Sequence, residues 1–371
     1  MTMARRAPMG EARRLGRMRR ALLAVLATVL LAGCHATTLT SSSNHTALEW
    51  TKVVPTGDCH CADGSRFNFW ERKADPTRVV FFLNGGNVCW DATTCAMDGG
   101  SGRDQSWAFN LAHVDPSNRD GIFDTTREDN PFAGFSYFYV SSCTGDSHLG
   151  SAVREYSADL TVDHHGYANG TAAVDYLAAN YPDATEVVVI GKTAGSPAAP
   201  IYGALIADRL PNAHVIALGT QSGSWPDSAA FGDTVLNTEW GAYRAVPEWA
   251  RHGVAAAQWS VTDLWIAAGK HDPNLTLARF DFAYDPHATS EFTAWLPNPP
   301  DLLAEIDAND AIIAAAGVTV HTYTAAGALH QTFDDGKLYT TTVGGTKLID
   351  WVTALVTGDP PANVHCTECG P

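Results

Sequence analysis

The stretch VVVIGKTAGSPAAP, residues 187–200, joins two kinds of local pattern around one sharp bend. It opens with a β-branched apolar run that predicts a strand ending at Gly191. Pro197 then suits the first turn of a helix, where its missing N–H is not needed. Gly191 and Gly195 stand two residues on either side of Thr193, and glycine allows the tight turn that a direct strand-to-helix connection requires. The stretch therefore predicts a strand, a bend with Thr193 at its tip, and a helix, which is the repeating unit of an α/β fold.

Apolar runs of the same character recur on both sides of this stretch. Strands are predicted at 78–86, 135–143, 186–191, 214–220, 264–269 and 318–327. Helices are predicted at 170–182, 196–210, 290–296, 300–317 and 344–358. Because most of these strands are apolar throughout, we expect both faces of the sheet to be buried. The alternation predicts an α/β domain over residues 51–371, with a mostly parallel central sheet, helices on both faces and a cap-like insertion at about 221–260.

The first fifty residues have the composition of a targeting segment. Seven arginines precede the apolar run ALLAVLATVLLAG, which is too short to span a bilayer comfortably, so residues 1–33 are interpreted as a signal peptide. The run closes on Leu-Ala-Gly before Cys34, which resembles the lipobox of bacterial lipoproteins and implies a lipid on Cys34. The alternative is a buried or leftover cysteine behind an ordinary signal peptide. With 34–50 as a polar, flexible tether, the prediction is an exported lipoprotein of the cell envelope.

The charge balance limits the partners of the chain. Its formal net charge is −16 at pH 7. Removal of residues 1–33 leaves 17 basic against 39 acidic side chains, a net charge of −22. Nucleic acid is therefore disfavoured as a partner, because its phosphates would be repelled.

Cysteine usage beyond the signal peptide fits an oxidising compartment, in which disulfides persist. The disulfide candidates are Cys59, Cys61, Cys89, Cys95, Cys366 and Cys369. The two pairs at the ends of the domain are expected to clasp each other, and the middle pair to bond internally. The spacings Cys-His-Cys and Cys-x-x-Cys, with His60 and His365 close by, leave a zinc site as the alternative. Cys143 makes the count odd, so one thiol is free unless the pairing differs.

The bend can also carry chemistry. Gly-x-nucleophile-x-Gly between a strand and a helix is the pattern of a nucleophile elbow, whose helix start offers N–H groups to a developing oxyanion. A triad then needs an acid and a histidine downstream, in that order. His330 follows a predicted strand, and Asp272 and Asp285 both follow the predicted strand 264–269, so spacing does not choose between the two acids. A phosphate-binding loop is disfavoured, because Glu186 replaces a glycine of its motif.

Several separated stretches between about residues 50 and 369 resemble the pectin acetylesterase and Notum family of carboxylesterases, which implies an α/β-hydrolase fold. The stretches are NGGNVCWDATTC (84–95), SSCTGDSHLG (141–150), DHHGYANG (163–170), GKTAGS (191–196), NLTLARFDFAYDPHA (274–288) and AAGALHQT (325–332). The fifth stretch favours Asp285 over Asp272 as the acid. The resemblance therefore implies a triad of Thr193, Asp285 and His330.

The same resemblance implies ester hydrolysis through an acyl-enzyme. Thr193 would attack the ester carbonyl, His330 would take its proton, and Asp285 would orient the imidazole. The oxyanion would be held by backbone N–H groups of Gly86, Asn87 and Ala194. This chemistry requires no metal or organic cofactor. The implied partners are an ester substrate, with acetylated polysaccharide as one candidate, and the membrane.

Two hydroxyl side chains depart from the family pattern. Thr193 stands where the family has serine, and Thr220 where an aspartate is expected. Because a β-branched side chain tolerates strained elbow backbone poorly, we expect a threonine nucleophile to be slow.

A second interpretation is therefore an inactive family member that binds glycan or an acylated ligand, and a third is a structural envelope protein. Ser196 is an alternative hydroxyl, with an ordinary role at the helix start as its simpler explanation. The histidines interpreted as part of the pocket wall are His148, His164 and His165.

Overall fold

The fold is built on a sheet whose central strands follow the apolar runs of the sequence. The computed structural model describes residues 35–38, 49–96, 114–297, 300–330 and 332–370. Within these residues the strands are β1 (His35–Thr38), β2 (Trp50–Thr56), β3 (Phe69–Arg72), β4 (Asp75–Leu83), β5 (Phe135–Val140), β6 (Ala152–Ser157), β7 (Leu160–His164), β8 (Glu186–Lys192), β9 (His214–Thr220), β10 (Thr276–Phe282), β11 (His321–Ala325), β12 (Thr342–Val343), β13 (Thr346–Lys347) and β14 (Val364–His365). The order across the large sheet is β1-β2-β3-β5-β4-β8-β9-β10-β11-β14, while β6 pairs with β7 and β12 with β13.

The greater part of the large sheet is parallel. Each neighbouring pair from β5 to β14 runs parallel. The pairs β1–β2, β2–β3 and β3–β5 are antiparallel. Parallel neighbours need long crossover connections, and these bring the carboxyl ends of β4, β8, β10 and β11 to one edge of the sheet.

Helices cover both faces of this sheet. The described helices are α1 (Gly166–Asn180), α2 (Ala199–Arg209), α3 (Ala229–Phe231), α4 (Ala242–Ala245), α5 (Val261–His271), α6 (Pro286–Phe292), α7 (Leu302–Ala315), α8 (Lys337–Thr340) and α9 (Leu348–Val356). Residues of α1, α2, α5 and α7 share one apolar core with Val79, Phe81 and Leu83 of β4. Residues of α8 and α9 share a second core with Val80 and Phe82 of the same strand. Successive side chains of β4 thus enter opposite cores, and the predicted α/β architecture with helices on both faces is confirmed.

One predicted strand is wrong, and among the several real strands that the sequence prediction lacks, one follows it directly in the chain. Residues 264–269 lie inside α5, which begins after Ser260 with a reciprocal capping box between Ser260 and Asp263. A six-residue apolar run cannot be assigned to helix or strand by periodicity. The real strand is β10, whose buried Arg279 and Asp281 interrupt its apolar pattern.

The amino-terminal segment differs from the predicted tether in one part. His35–Thr38, expected within a flexible tether, pair as β1 with β2, with His35 opposite Thr56. The predicted signal peptide and Cys34 lie outside the described residues. In the part of the chain that the structure describes, no helix combines the length and the apolar character needed to cross a membrane. The described residues all belong to one unit, Gly33–Pro371.

The predicted insertion is a long excursion between β9 and α5. It contains α3, a π-helical segment (Gly232–Glu239), α4 and two single 3₁₀ turns. Trp240 and Trp259 within it are fully buried in the same core as α2 and α5. The excursion therefore packs as part of the domain.

The disulfide pairing differs from the predicted bonds between the two ends of the domain. Cys61 bonds to Cys143, Cys89 to Cys95, and Cys366 to Cys369. The expected Cys89–Cys95 bond is present, whereas the clasp between the two ends of the domain is wrong, because residues 366 and 369 bond to each other. Cys59 is disulfide-bonded as well, and no described cysteine is free. Sulfur atoms held in disulfides cannot act as thiolate ligands, which removes the cysteine-based zinc alternative for these residues.

Candidate active site

The elbow places Thr193 at a strained point between β8 and α2. Thr193 begins a 3₁₀ turn, Thr193–Gly195, directly after β8, and its φ is +46°. Positive φ is rare for a β-branched residue, since Cβ then crowds the backbone. The glycines make the bend possible: a Cβ on Gly191 would lie 2.4 Å from the carbonyl oxygen of Gly195, and one on Gly195 would lie 2.3 Å from that of Leu83. The sequence-predicted strand, bend and helix are therefore present with Thr193 at the tip.

The Thr193 hydroxyl lies against the end of β4. A Cβ added to Gly85 would stand 2.0 Å from Thr193 Oγ1, so a glycine is required opposite the hydroxyl. The next two residues also have positive φ, +151° at Gly86 and +61° at Asn87. The backbone after β4 thus turns around the tip of the elbow, where the sequence predicts oxyanion donors.

The acid and the base are joined by one hydrogen bond. Asp285 follows β10 and caps α6, accepting hydrogen bonds from the backbone N–H groups of His287 (2.9 Å) and Ala288 (3.2 Å). Its second oxygen accepts a hydrogen bond from His330 Nδ1 at 2.7 Å. The Asp285 side chain is 2% exposed and that of His330 is 20% exposed. Asp285 therefore fixes the orientation of the His330 ring and leaves Nε2 as the nitrogen that can act as a base.

Elbow, base and predicted oxyanion residues face one narrow cavity. Its lining is Asn87, Thr193, Ala194, Gln221, Ser224, Trp225, His287, Ala288, Glu291, Phe292 and His330. Among the described residues, no hydrogen bond joins the Thr193 hydroxyl to His330, although both line this cavity. Such contacts often tighten only when substrate is bound.

Two of the three predicted oxyanion residues line this cavity. Ala194 occupies the first turn after the bend, where backbone N–H groups have no partner within the turn. Asn87 Oδ1 lies 2.9 Å from His287 Nε2, which ties the segment after β4 to α6. Ser147 Oγ donates to the carbonyl oxygen of Ala194 and supports the turn from behind. Asn87 and Ala194 therefore line the cavity, while Gly86 shapes the backbone beside it.

Three alternative residues have other roles. Ser196 is fully buried; its Oγ accepts from Trp225 Nε1 (3.1 Å) and lies 3.2 Å from the carbonyl oxygen of Gln221. Asp272 ends α5 and precedes β10, so it lies at the amino end of that strand, whereas Thr193 follows the carboxyl end of β8. Thr220 is buried and its hydroxyl donates to Gln221 Oε1 at 3.1 Å.

A buried ion-pair cluster beneath the elbow was not predicted from the sequence. Lys192, the residue before Thr193, places Nζ 2.5 Å from Asp334 Oδ2, and Arg119 Nη1 lies 2.6 Å from the same oxygen. Burial lowers the pKa of Lys192, and Asp334 opposes this effect. Because Asp334 follows His330 by four residues, the cluster attaches the histidine loop to the end of β8. The signal available in the sequence was a lysine inside an otherwise apolar elbow.

Two titratable groups beside the triad have shifted pKa values. Burial raises the pKa of Glu291 to about 8, so this carboxyl is largely protonated at neutral pH. Burial, followed by the nearby His330, lowers the pKa of His287, whose ring centroid lies 4.2 Å from that of His330. Glu291 and His287, the two shifted groups beside the base, are therefore mostly neutral at neutral pH.

The histidines predicted to line the pocket lie elsewhere. None of His148, His164 and His165 is among the residues that line the described cavity. His148 Nε2 donates to the carbonyl oxygen of Asn84 at 2.8 Å, just before the oxyanion segment. Burial lowers the pKa of both His148 and His164 to about 4. His165 packs against His60 instead. His148 thus supports the segment after β4 from outside the cavity.

Comparisons with known proteins bear on this geometry. The fold is similar to that of the Wnt deacylase Notum from Drosophila, with a TM-score of 0.61 and 15% identity, over 88% of this chain and 98% of that chain. No curated protein matches the sequence. The family model described as Pectinacetylesterase matches residues 41–239, which is more than half of the chain and includes the elbow and the oxyanion segment. Asp285 and His330 lie beyond that match. The elbow, the oxyanion segment and the extent of this match lead to one conclusion: the chain belongs to the pectinacetylesterase family of carboxylic-ester hydrolases.

Proposed function

We propose that this protein is an exported carboxylic-ester hydrolase in which Thr193, His330 and Asp285 form the catalytic triad. The observation that carries the proposal is the Asp285–His330 hydrogen bond of 2.7 Å, with its imidazole facing the same cavity as Thr193. The positive φ of Thr193 adds support, because elbow nucleophiles occupy strained backbone.

Catalysis would proceed through an acyl-enzyme. His330 Nε2 takes the proton of the Thr193 hydroxyl as Oγ1 attacks the ester carbonyl. The resulting oxyanion is held by backbone N–H groups at Gly86, Asn87 and Ala194. Collapse breaks the bond to the alcohol, which leaves with the proton from His330. Water then repeats the sequence at the acyl-threonine and releases the acid.

The acyl side of the substrate would enter the narrow cavity. Trp225, Phe292 and Ala288 supply apolar walls there, and Glu291 is largely protonated at neutral pH, which favours a small neutral acyl group. A deacetylase of the family pattern, acting on an acetylated polysaccharide or another acetyl ester, fits these walls.

Hydrolysis of p-nitrophenyl acetate tests the proposal. The purified chain should turn this ester over, and His330→Ala should reduce kcat by about three orders of magnitude, because the general base is lost. His252→Ala, which changes an exposed histidine outside the cavity, is the matched control and should keep the wild-type rate. Equal rates for wild type and His330→Ala would overturn the assignment of the base.

A second candidate function is ligand binding without turnover. It is favoured by the β-branched side chain at the elbow, since the extra methyl group of Thr193 adds bulk beside Oγ1. In that case the wild type is inert, a short-chain acyl glycan raises its melting temperature by mass action, and Thr193→Ser gains hydrolysis. A structural envelope protein would show neither turnover nor ligand stabilisation.

We also propose that the chain is exported and anchored through lipid on Cys34. The support is the arginine-rich apolar leader of residues 1–33 and the small residues before Cys34. Disulfides among the described cysteines are consistent with an oxidising compartment.

A further inference from the structure

Two histidines and two aspartates form a cluster outside the catalytic cavity. His60 lies in the segment after β2, and His165 lies between β7 and α1. Their rings stack with centroids 4.1 Å apart and planes 22° apart. Asp58 and Asp163 lie at opposite edges of this stack, and none of the four residues lines the catalytic cavity. We call these residues the His–Asp cluster.

At one edge, nitrogen and oxygen atoms converge on a common point. Asp58 Oδ1 is 3.2 Å from His60 Nδ1, and Asp58 Oδ2 is 3.9 Å from His165 Nε2. One ligand atom from each of these three residues lies within 4.8 Å of the others. In a tetrahedral zinc site with metal–ligand distances of about 2.0–2.2 Å, two ligand atoms are closer to each other than this 4.8 Å limit. Asp58 has a side chain 65% exposed, so it can rotate to close the difference.

At the other edge, Asp163 holds both rings in position. Its Oδ2 accepts a hydrogen bond from His60 Nε2 at 2.7 Å, and its Oδ1 lies 3.7 Å from His165 Nδ1. With those nitrogens turned to Asp163, the remaining nitrogen of each ring points to Asp58. A histidine that binds a metal usually donates its second N–H to a carboxylate in this way.

The backbone around the cluster is firmly held. Cys61, next to His60, bonds to Cys143. The carbonyl oxygen of His60 accepts a hydrogen bond from Asn169 Nδ2 of α1 at 2.8 Å. Asp163 N–H donates to the carbonyl oxygen of Ala62 at 3.3 Å. The two segments that carry the cluster are therefore attached to each other before any ion binds.

We propose that the His–Asp cluster is a structural site for a divalent transition metal such as Zn²⁺, with Asp58, His60 and His165 as ligands and Asp163 as the positioning residue. Imidazole nitrogen favours zinc over calcium, which prefers oxygen ligands throughout. Binding replaces the hydrogen bond between His165 Nε2 and the main-chain oxygen of Asp58, and the proton leaves that nitrogen. The ion neutralises two carboxylates and crosslinks the segment after β2 to the start of α1.

Equilibrium dialysis of the metal-stripped, full-length chain tests this site. We expect one Zn²⁺ per chain, no retention of Ca²⁺ at the same concentration, and affinity weakened by about a hundredfold or more in His60→Ala and His165→Ala. Asp163→Asn should weaken binding about tenfold to a hundredfold. His271→Ala is the matched control, since His271 lies outside the cluster. Its Nε2 is 2.9 Å from Asp208 Oδ1. No zinc on the wild type, or equal zinc on His60→Ala, would overturn the proposal.

A second measurement uses the wild type alone and does not depend on folding of the variants. Diethyl pyrocarbonate modifies accessible imidazoles, and the side chains of His60, His165 and His271 are 22%, 14% and 26% exposed. Peptide mass spectrometry should show that Zn²⁺ protects His60 and His165 and leaves His271 reactive. Equal modification of all three with and without zinc would contradict the site, whether or not the triad proves active.

Discussion

At the scale of single residues, the side chain at position 193 governs the expected rate. A φ of +46° places the Thr193 backbone in the left-handed region, which costs a non-glycine residue about 1–3 kcal/mol of conformational free energy. Serine lacks the γ-methyl group, so Thr193→Ser should relieve crowding while it keeps the hydroxyl. We expect kcat for p-nitrophenyl acetate to rise about tenfold, which corresponds to about 1.4 kcal/mol.

The matched variant at this position is Thr193→Ala, which removes the hydroxyl and should abolish turnover. A serine variant slower than the wild type would mean that the methyl group positions the hydroxyl and does not obstruct it. Stopped-flow release of p-nitrophenol with each variant separates these two outcomes.

His148 provides a pH-dependent contribution to stability. Burial lowers its pKa to about 4 from an ordinary value of 6.5, so between these values the unfolded chain binds a proton that the folded chain does not. The free energy of unfolding therefore falls as pH drops through this window. His148→Gln keeps an N–H donor for the Asn84 carbonyl and does not titrate, so its loss of stability between pH 7 and pH 4.5 should be smaller by about 2–3 kcal/mol.

Urea unfolding at the two pH values measures this difference. His252→Gln changes an exposed histidine and should follow the wild-type profile. If His148→Gln loses as much stability on acidification as the wild type, the imidazole is not held neutral in the folded protein.

The sequence could place Thr193 and His330 because each follows a predicted strand: β8 is an apolar run, and β11 lies within the predicted strand 318–327. Spacing alone could not choose between Asp272 and Asp285, since that choice depends on where β10 runs, and only the family resemblance favoured Asp285. Arg279 and Asp281 hide that strand: the arginine pairs with Asp310, and the aspartate accepts two hydrogen bonds from Gly223 N–H. Buried charges satisfied by partners distant in sequence leave no local signature.

At the scale of elements, the lack of a local signature also explains the errors in the predicted secondary structure. Part of α5 is predicted as a strand because a short apolar run fits either element, and its capping box is a weaker signal than its apolar residues. β10 is not predicted as any element, because Arg279 and Asp281 interrupt its apolar pattern. The ion-pair cluster beneath the elbow joins Lys192 to Asp334, which is 142 residues away. Contacts across such separations depend on the topology of the sheet, which local patterns do not specify.

The disulfides should differ in their contributions to stability according to the loops that they close. Cys61–Cys143 spans 82 residues and joins the segment after β2 to the end of β5, whereas Cys366–Cys369 spans three. Loop-closure entropy predicts a loss of about 4–5 kcal/mol for Cys61→Ala/Cys143→Ala and about 2 kcal/mol for Cys366→Ala/Cys369→Ala. Urea denaturation of both double variants under oxidising conditions measures the two values. An equal or larger loss of stability on removal of Cys366–Cys369 would show that the entropy of the unfolded chain is not the main contribution of these disulfides.

At the scale of the whole molecule, the parallel part of the sheet brings the candidate site together. Thr193 follows β8, Asp285 follows β10, His330 follows β11, and the oxyanion segment follows β4. The carboxyl ends of parallel strands meet at one edge, so four segments spread along the chain from Asn87 to His330 face one cavity. The His–Asp cluster, in contrast, draws on the antiparallel side of the domain, where a metal would stabilise structure without taking part in turnover.

The proposed lipid anchor makes a prediction about the exported protein as a whole. Expression of the complete chain in a bacterial host should give an envelope-bound product whose first residue is Cys34 with a thioether-linked diacylglycerol, detectable by mass spectrometry of the amino-terminal peptide. Cys34→Ala should move the protein to the soluble fraction, because a lipid is the main attachment of a mature chain with net charge −22 to a bilayer. Cys366→Ala/Cys369→Ala removes a disulfide without touching the leader and should remain in the envelope fraction.

The outcome that would contradict the anchor is a peptide in which Cys34 is disulfide-linked to Cys59, since one sulfur atom cannot hold both bonds. A mass map of the protein without reduction therefore decides between the two fates of Cys34. The disulfide would give an exported domain tied at its amino terminus to the segment that carries His60, and the thioether would give one held at the membrane.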